Sequence, residues 1–221
     1  DRWALALLHR TITTVTESLD NFDAKTAGES IESFVDQLSN WYVRRNRRRF
    51  WKSTDPKDTQ AAYLTLYECL DAAHKLMAPF VPFLSENVYQ NLVRSVNPDA
   101  PESVHMTDWP VADATWKNDE LLFDIDVVQK VVGLARAARG QSGVRTRQPL
   151  ARLLIRAPSD AAAKALDNHQ DQILEELNIK GIEFIARDAG LVSYRIKPNL
   201  PRIGKQYGKL IPVIRKALEK A

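Results

Sequence analysis

Five arginines and a lysine crowd between Trp41 and Ser53, where the chain reads Trp-Tyr-Val-Arg-Arg-Asn-Arg-Arg-Arg-Phe-Trp-Lys-Ser without a single acid. A guanidinium is a planar fork of five N–H donors that grips phosphate or carboxylate through paired hydrogen bonds and stacks on aromatic faces. The chemistry this run can do is therefore recognition of an anionic polymer. Ile31, Phe34, Val35, Leu38, Trp41 and Tyr42 recur at the spacing of one helical face. Continued at about 100° per residue, that face takes in Arg45, Arg48 and Arg49, with Arg44 and Arg47 on the opposite, solvent-facing side. An arginine on the inner face needs phosphate, carboxylate or an aromatic ring as partner. Plainer uses are interaction with the helix C-terminal dipole, pairing with acids elsewhere on the molecule, or docking of another domain.

Charge along the chain is sorted, although the net value is only +3. No Asp or Glu occurs in 37–54, 127–159 or 189–218, yet these segments hold 20 of the 31 lysines and arginines. Three acid-free basic segments folded together would form one positive surface, the electrostatic footprint of nucleic-acid binding. Membrane attachment is the competing use of such charge. It is disfavoured because no stretch of about 18 apolar residues exists and the basic helices keep no broad apolar face for lipid.

Bond-making chemistry finds little support. His9, His74, His105 and His169 are far apart and lack metal-ligand or nucleophile spacing, so structural or surface roles are expected. Gly140 with Gly143, and Gly204 with Gly208, do not match a phosphate loop. The acid pairs Glu175/Glu176 and Asp119/Glu120 are read as solvated charge at helix ends. Cys69 is alone among Leu66, Leu70 and Ala73, which predicts a buried structural thiol and excludes disulfides and a cysteine zinc site. No catalytic residue and no metal ligand is assigned. Opening at Asp1 without an initiator methionine or signal peptide, the chain is expected to be a piece of a longer cytoplasmic protein.

The elements that must position these residues are mostly helices. Leu5, Leu8, Ile12, Val15 and Leu19 mark the first; Asp23 caps a second that runs on into the arginines. Asp55-Pro56 starts a third, with Ala62, Tyr63, Leu66, Leu70, Ala73 and Met77 inward. After the break at Ala78–Pro82, Leu84, Val88 and Leu92 define a short helix. A looser stretch holds His105 and Trp109, and Leu121, Ile125, Val128, Val132 and Ala135 line the last long helix. Residues 1–143 thus read as an antiparallel helical bundle. Past the hinge at Gly140–Gly143, residues 144–221 read as a small α+β domain. It would have strands at 150–155, 179–185 and 191–196, a helix capped by Ser159 between the first two, and a final helix over 207–218. Strand, helix, strand is a crossover unit. The fold class is mainly α, a helical bundle followed by a small α+β domain.

Several segments, taken in order, resemble a known family: Asp1-Arg-Trp3, the run from Asn40 to Trp51, Met77-Ala-Pro-Phe-Val-Pro-Phe83 with Glu86 and Tyr89, and Ser103-Val-His105 with Trp109-Pro110. Further on come Val144-Arg-Thr-Arg-Gln-Pro-Leu150, Glu176-Leu-Asn-Ile-Lys180, and Lys197-Pro-Asn199 with Ile203-Gly-Lys-Gln-Tyr-Gly-Lys209. Together they are similar to the region that follows the catalytic domain in class I isoleucyl-tRNA synthetases. The first four segments are shared in looser form with the valyl and leucyl enzymes. The Arg-Gln-Pro-Leu, Leu-Asn-Ile-Lys and Lys-Pro-Asn segments point to isoleucine.

The resemblance implies an anticodon-binding bundle of the class I synthetase type followed by part of the C-terminal extension, in the zinc-free, longer-tailed branch. The family's two ATP-binding motifs and its editing domain are absent, so this piece should neither activate isoleucine nor hydrolyse mischarged tRNA. ATP and magnesium would belong to the parent's catalytic domain and no cofactor to this piece. Its partners would be isoleucine tRNA and the catalytic domain of the same chain, in a monomer. RNA loops are read by unstacking bases onto aromatic, Arg and polar side chains. Arg44, Arg45, Arg47, Arg48 and Arg49 are the candidate phosphate contacts, and Trp41 and Trp51 the candidate stacking platforms. From the other basic segments come Arg145, Arg147, Lys197, Lys205 and Lys209. For Trp41 and Trp51, packing is the competing role.

Overall fold

A computed structural model describes residues 1–185 and 207–218. α1 (Arg2–Asp20) turns Trp3, Leu7, Leu8, Ile12 and Val15 inward. A three-residue turn then reverses the chain into α2 (Ala24–Gln37). Phe22, in that turn, adopts φ 58°. Asp23 caps α2 as expected, its carboxylate accepting from the Thr26 N–H at 3.0 Å and from the Thr26 hydroxyl at 2.6 Å. α2 does not continue regularly. It runs into a π-helical turn, Leu38–Val43, then a break at Asn46 and the short α3 (Arg47–Trp51).

α4 (Pro56–Met77) starts where Asp55 accepts from the Lys57 N–H, with Pro56 in the first turn. Its inner face is rotated from the one the sequence suggests. Thr65, Cys69 and Leu76 are buried with Ala62 and Ala73, whereas Tyr63 and Leu70 are exposed. The small side chains let α4 approach α1 and α2 closely, and Tyr63 instead packs its ring edge-on to Phe50 at 5.1 Å between centroids. The next helix, α5 (Pro82–Tyr89), continues through a second π-helical turn, Gln90–Arg94, and is likewise re-phased. It buries Ser85 and Tyr89 and leaves Leu84 exposed.

The loose stretch that follows is pinned at both ends. Glu86 accepts from the Ser103 hydroxyl and the Val104 N–H, and Trp109 Nε1 donates to the Thr16 hydroxyl on α1. α6 (Asp119–Gln141), capped by Asn118, packs on α1. It passes through Gly140 without bending out of the helix, and the chain turns away at Gly143, where φ is +67°. A glycine suits that left-handed position.

β1 (Leu153–Ile155) and β2 (Ile182–Phe184) pair in parallel, Leu153 opposite Ile182, and a bridge from Leu150 to Ile179 extends the pairing. Between them lie two helices where the sequence suggested one: α7 (Asp160–Asn168), capped by Ser159 as expected, and α8 (Gln170–Leu177) after a break at His169. Both pack on α6, and Ile155, Leu166, Ile173 and Leu177 join the same core as the bundle residues. The proposed strand at 191–196 lies outside the described residues. A 3-10 turn, Gly208–Leu210, leads into α9 (Ile211–Leu218). The result is mainly α, with a small two-stranded parallel sheet.

Candidate nucleic-acid interface

The π-helical turn decides which way each arginine points. Closing i to i+5 rather than i to i+4, it admits about one extra residue, so the chain beyond it lags by roughly the 100° of one α-helical step. The face that holds Phe34 and Leu38 therefore resumes with Tyr42, Arg49 and Phe50 turned inward, and Arg48 swings out into solvent. This corrects the position expected for Arg48, which rested on an uninterrupted helix. Arg44 and Arg47 are exposed as expected.

Arg49 belongs to the bundle's own scaffold. Its Nη1 and Nη2 reach the two oxygens of the Asp1 carboxylate at 2.7 and 2.8 Å, and its Nε donates to Asp58 at 3.0 Å. Asn46 Oδ1 and the Asp58 carbonyl accept the remaining two protons, so all five donors are engaged. Tyr42 adds its hydroxyl to Asp1 at 2.6 Å.

Arg44 and Arg45 meet a different acid. Arg45 Nη1 donates to Glu176 Oε1 at 2.7 Å and Arg44 Nη2 to Glu176 Oε2, also at 2.7 Å. Arg136 of α6 joins them on Oε2. Three guanidiniums thus share one carboxylate whose side chain is only 5% exposed. Burial pushes the Glu176 carboxyl up, but Arg44, with Arg45 and Arg136, outweighs it and holds the group below its ordinary value. Glu176 is therefore not simply solvated, and the sequence reading is corrected on this point. The neighbouring Glu175 is exposed and touches Arg45 at 3.4 Å.

These residues form the wall of a cleft of about 660 Å³. Arg44, Arg45, Arg47, Arg48 and Lys52 line it from the first acid-free segment, and Arg136 and Thr146 from the second. Six cations face Glu175 and Glu176, a formal excess of four positive charges. Among the described residues, Arg47 and Arg48 have no carboxylate partner. Two of the three basic segments thus converge on one concave surface, which sequence could not establish. Arg145 and Arg147 flank Thr146 with exposed side chains. Lys197, Lys205 and the side chain of Lys209 lie outside the described residues.

The two tryptophans part company. Trp41 is 9% exposed, with Arg44 and Arg45 over its ring at 5.9 and 5.2 Å, so packing claims it. Trp51 is 65% exposed in the cleft with Arg47 over its ring at 5.5 Å, an open π-face beside unpaired cations. A base can stack there.

Arg139 and Glu176 are the residues that sequence reasoning missed. Arg139 is 6% exposed and binds no carboxylate among the described residues. Its two terminal nitrogens donate to the carbonyls of Arg145, Gln148, Leu177 and Asn178 at 2.6 to 3.4 Å, stapling the end of α6 to the crossover unit. Only the absence of acids around it hinted at a backbone partner.

Nothing described resembles a reaction centre. Cys69 is fully buried and its thiol is pushed up to about 12 by that burial. His74 is buried, its Nδ1 2.9 Å from the Leu70 carbonyl, and burial lowers its pKa. Among the described residues no three His, Cys, Asp or Glu side chains gather as a metal site, and no helix is long and apolar enough to cross a membrane.

A family model described as "Anticodon-binding domain of tRNA ligase" matches residues 1–155. Over 221 residues the chain is 49% identical to a protein of Thermus thermophilus and 48% identical to one of Deinococcus radiodurans, each named isoleucine-tRNA ligase. The protein of the same name from Clostridium novyi is 48% identical over 219 residues. These alignments cover 99 to 100% of this chain but 20 to 21% of the relatives, so the chain spans about a fifth of their length.

Proposed function

The chain belongs to the anticodon-binding domain family of tRNA ligases, and on that premise we propose that it holds the anticodon stem-loop of isoleucine tRNA for an isoleucine-tRNA ligase. It acts as a non-catalytic part of that enzyme, monomeric and cytoplasmic. Isoleucine activation, with ATP and magnesium, falls to the catalytic domain of the same chain. The observation that carries this reading is the cleft in which two acid-free basic segments meet around an exposed tryptophan.

Within it the roles divide by availability. Arg47, Arg48 and Lys52 take phosphate oxygens, which fixes the register of the RNA without reading its sequence. Trp51 stacks on a base unstacked from the loop, an interaction of about 1–3 kcal/mol. Arg145 and Arg147 extend the positive surface, and Lys197, Lys205 and Lys209 of the third basic segment continue it. Choice of isoleucine tRNA resides in contacts to base edges rather than in the arginines.

Binding of the 221-residue chain to isoleucine tRNA, and to the same tRNA with its anticodon replaced, tests this at two salt concentrations. Weaker binding to the replaced anticodon supports the reading. Equal binding would leave a basic surface without anticodon recognition and would refute it.

A further inference from the structure

The cleft's most buried charge is the acid, and the cations lie outside it. Glu176 is 5% exposed, whereas the side chains of Arg44 and Arg136, which grip its Oε2, are 42% and 41% exposed. A phosphate entering from solvent meets those guanidiniums first and need not displace the carboxylate behind them. Each keeps free donors. Arg44 uses Nε on the Asn40 carbonyl and Nη2 on Glu176, which leaves Nη1; Arg136 uses Nη2 alone. An arginine held on one side by a buried acid has already lost the rotamer freedom that phosphate binding would otherwise cost.

On the RNA-binding reading above, we propose that Glu176 is a positioning residue. It fixes Arg44 and Arg136 with their free donors facing the cleft, so that an RNA phosphate is gripped across the seam between the π-helical turn, α6 and α8. The three guanidiniums on one carboxylate leave an excess of two charges at that point, so the acid orients the cations without neutralising them. The reach is long in sequence, 132 residues from Arg44 to Glu176, so this half of the cleft requires the crossover unit. Arg47 and Arg48 serve as contacts that do not depend on it.

The test uses the 221-residue chain and an RNA hairpin carrying the isoleucine anticodon, with affinity measured across a salt series. Glu176→Gln should weaken binding about ten-fold at low salt and reduce the salt slope by about 0.7 to 1.4, one or two phosphate contacts. In an Arg44→Ala, Arg136→Ala background the same substitution should cost nothing further, which a merely structural role for Glu176 would not produce. Unchanged or tighter binding by Glu176→Gln, or an equal loss in both backgrounds, would overturn the proposal. Should Glu176→Gln be unfolded at the assay temperature, the exposed Arg136→Ala decides instead: a slope lower by about 0.7 supports it and an unchanged slope overturns it. Because the slope is read equally with a hairpin of altered anticodon, loss of anticodon discrimination would sink the reading while leaving the role of Glu176 to be judged by itself.

Discussion

Replacing Arg47 and Arg48 together with alanine, and comparing the result with Arg49→Ala, separates two kinds of arginine that lie side by side in the sequence. Arg47 and Arg48 are exposed and line the cleft, so their loss removes up to two phosphate contacts. At about 0.7 to 0.9 per contact, the slope of log affinity against log salt should fall by about 1.4 to 1.8. A fourfold rise in salt, from about 50 to 200 mM, should then weaken the parent chain about ten-fold more than the double variant. Stability should move by no more than about 0.5 kcal/mol, as for other surface changes. Arg49→Ala should do the reverse. It strips five hydrogen bonds and leaves the Asp1 and Asp58 carboxylates, 28% and 41% exposed, facing each other without a cation. A fully buried pair would cost about 3–5 kcal/mol. Discounted for solvent screening at this exposure, about 2 kcal/mol remains, a fall in melting temperature of about 4–8 °C with the salt slope nearly intact. Filter binding or fluorescence anisotropy across a salt series, beside thermal melts by circular dichroism, gives both readouts. A lowered slope and unchanged melting for Arg49→Ala would refute the inside-outside assignment, as would an unchanged slope for the double variant.

Arg139→Ala should lose about 3 kcal/mol by urea unfolding, and lysine should not restore it, because one ammonium cannot span the four carbonyls; recovery with lysine would show that charge alone matters. The Glu176 carboxyl titrates below its ordinary 4.5, so its stabilisation is complete above that pH and is lost as pH falls through the lowered value. The difference in urea midpoint between the parent chain and Glu176→Gln should therefore shrink below pH 4.5, and a gap that widens there would reverse the sign argued here. Burial that raises the Cys69 thiol to about 12 predicts no reaction with a thiol reagent at pH 8 until urea unfolds the chain.

Much of the architecture was legible where local chemistry decides it. Asp23, Asp55 and Ser159 each cap the helix their position announces, and the parallel pairing of Leu150–Ile155 with Ile179–Ile185 follows from the crossover rule. Helix faces were less legible. On α4 the apolar pattern favours Tyr63 and Leu70, yet close packing against α1 and α2 selects alanines, Thr65 and Cys69. For the candidate site, the arginine run and Trp51 could be read directly. Which arginines remain available could not, because Glu176 is 132 residues from Arg44 and nothing local ties them. The sequence offered an ion pair as one fate for these arginines, and the structure assigns it to Arg44, Arg45 and Arg49.

The π-helical turn at Leu38–Val43 makes this segment sensitive to length in a way that no residue-by-residue comparison reveals. Deleting any one of its six residues would allow ordinary α-helix throughout, with every arginine and tryptophan retained. All that follows would rotate by about 100°. Arg48 would be carried toward the apolar interior and Phe50 away from Tyr63, while Arg49 would leave Asp1. A single-codon deletion here should therefore be more damaging than any substitution within the turn, and relatives that keep the arginines but differ by one residue in this stretch would present a different set of them to RNA.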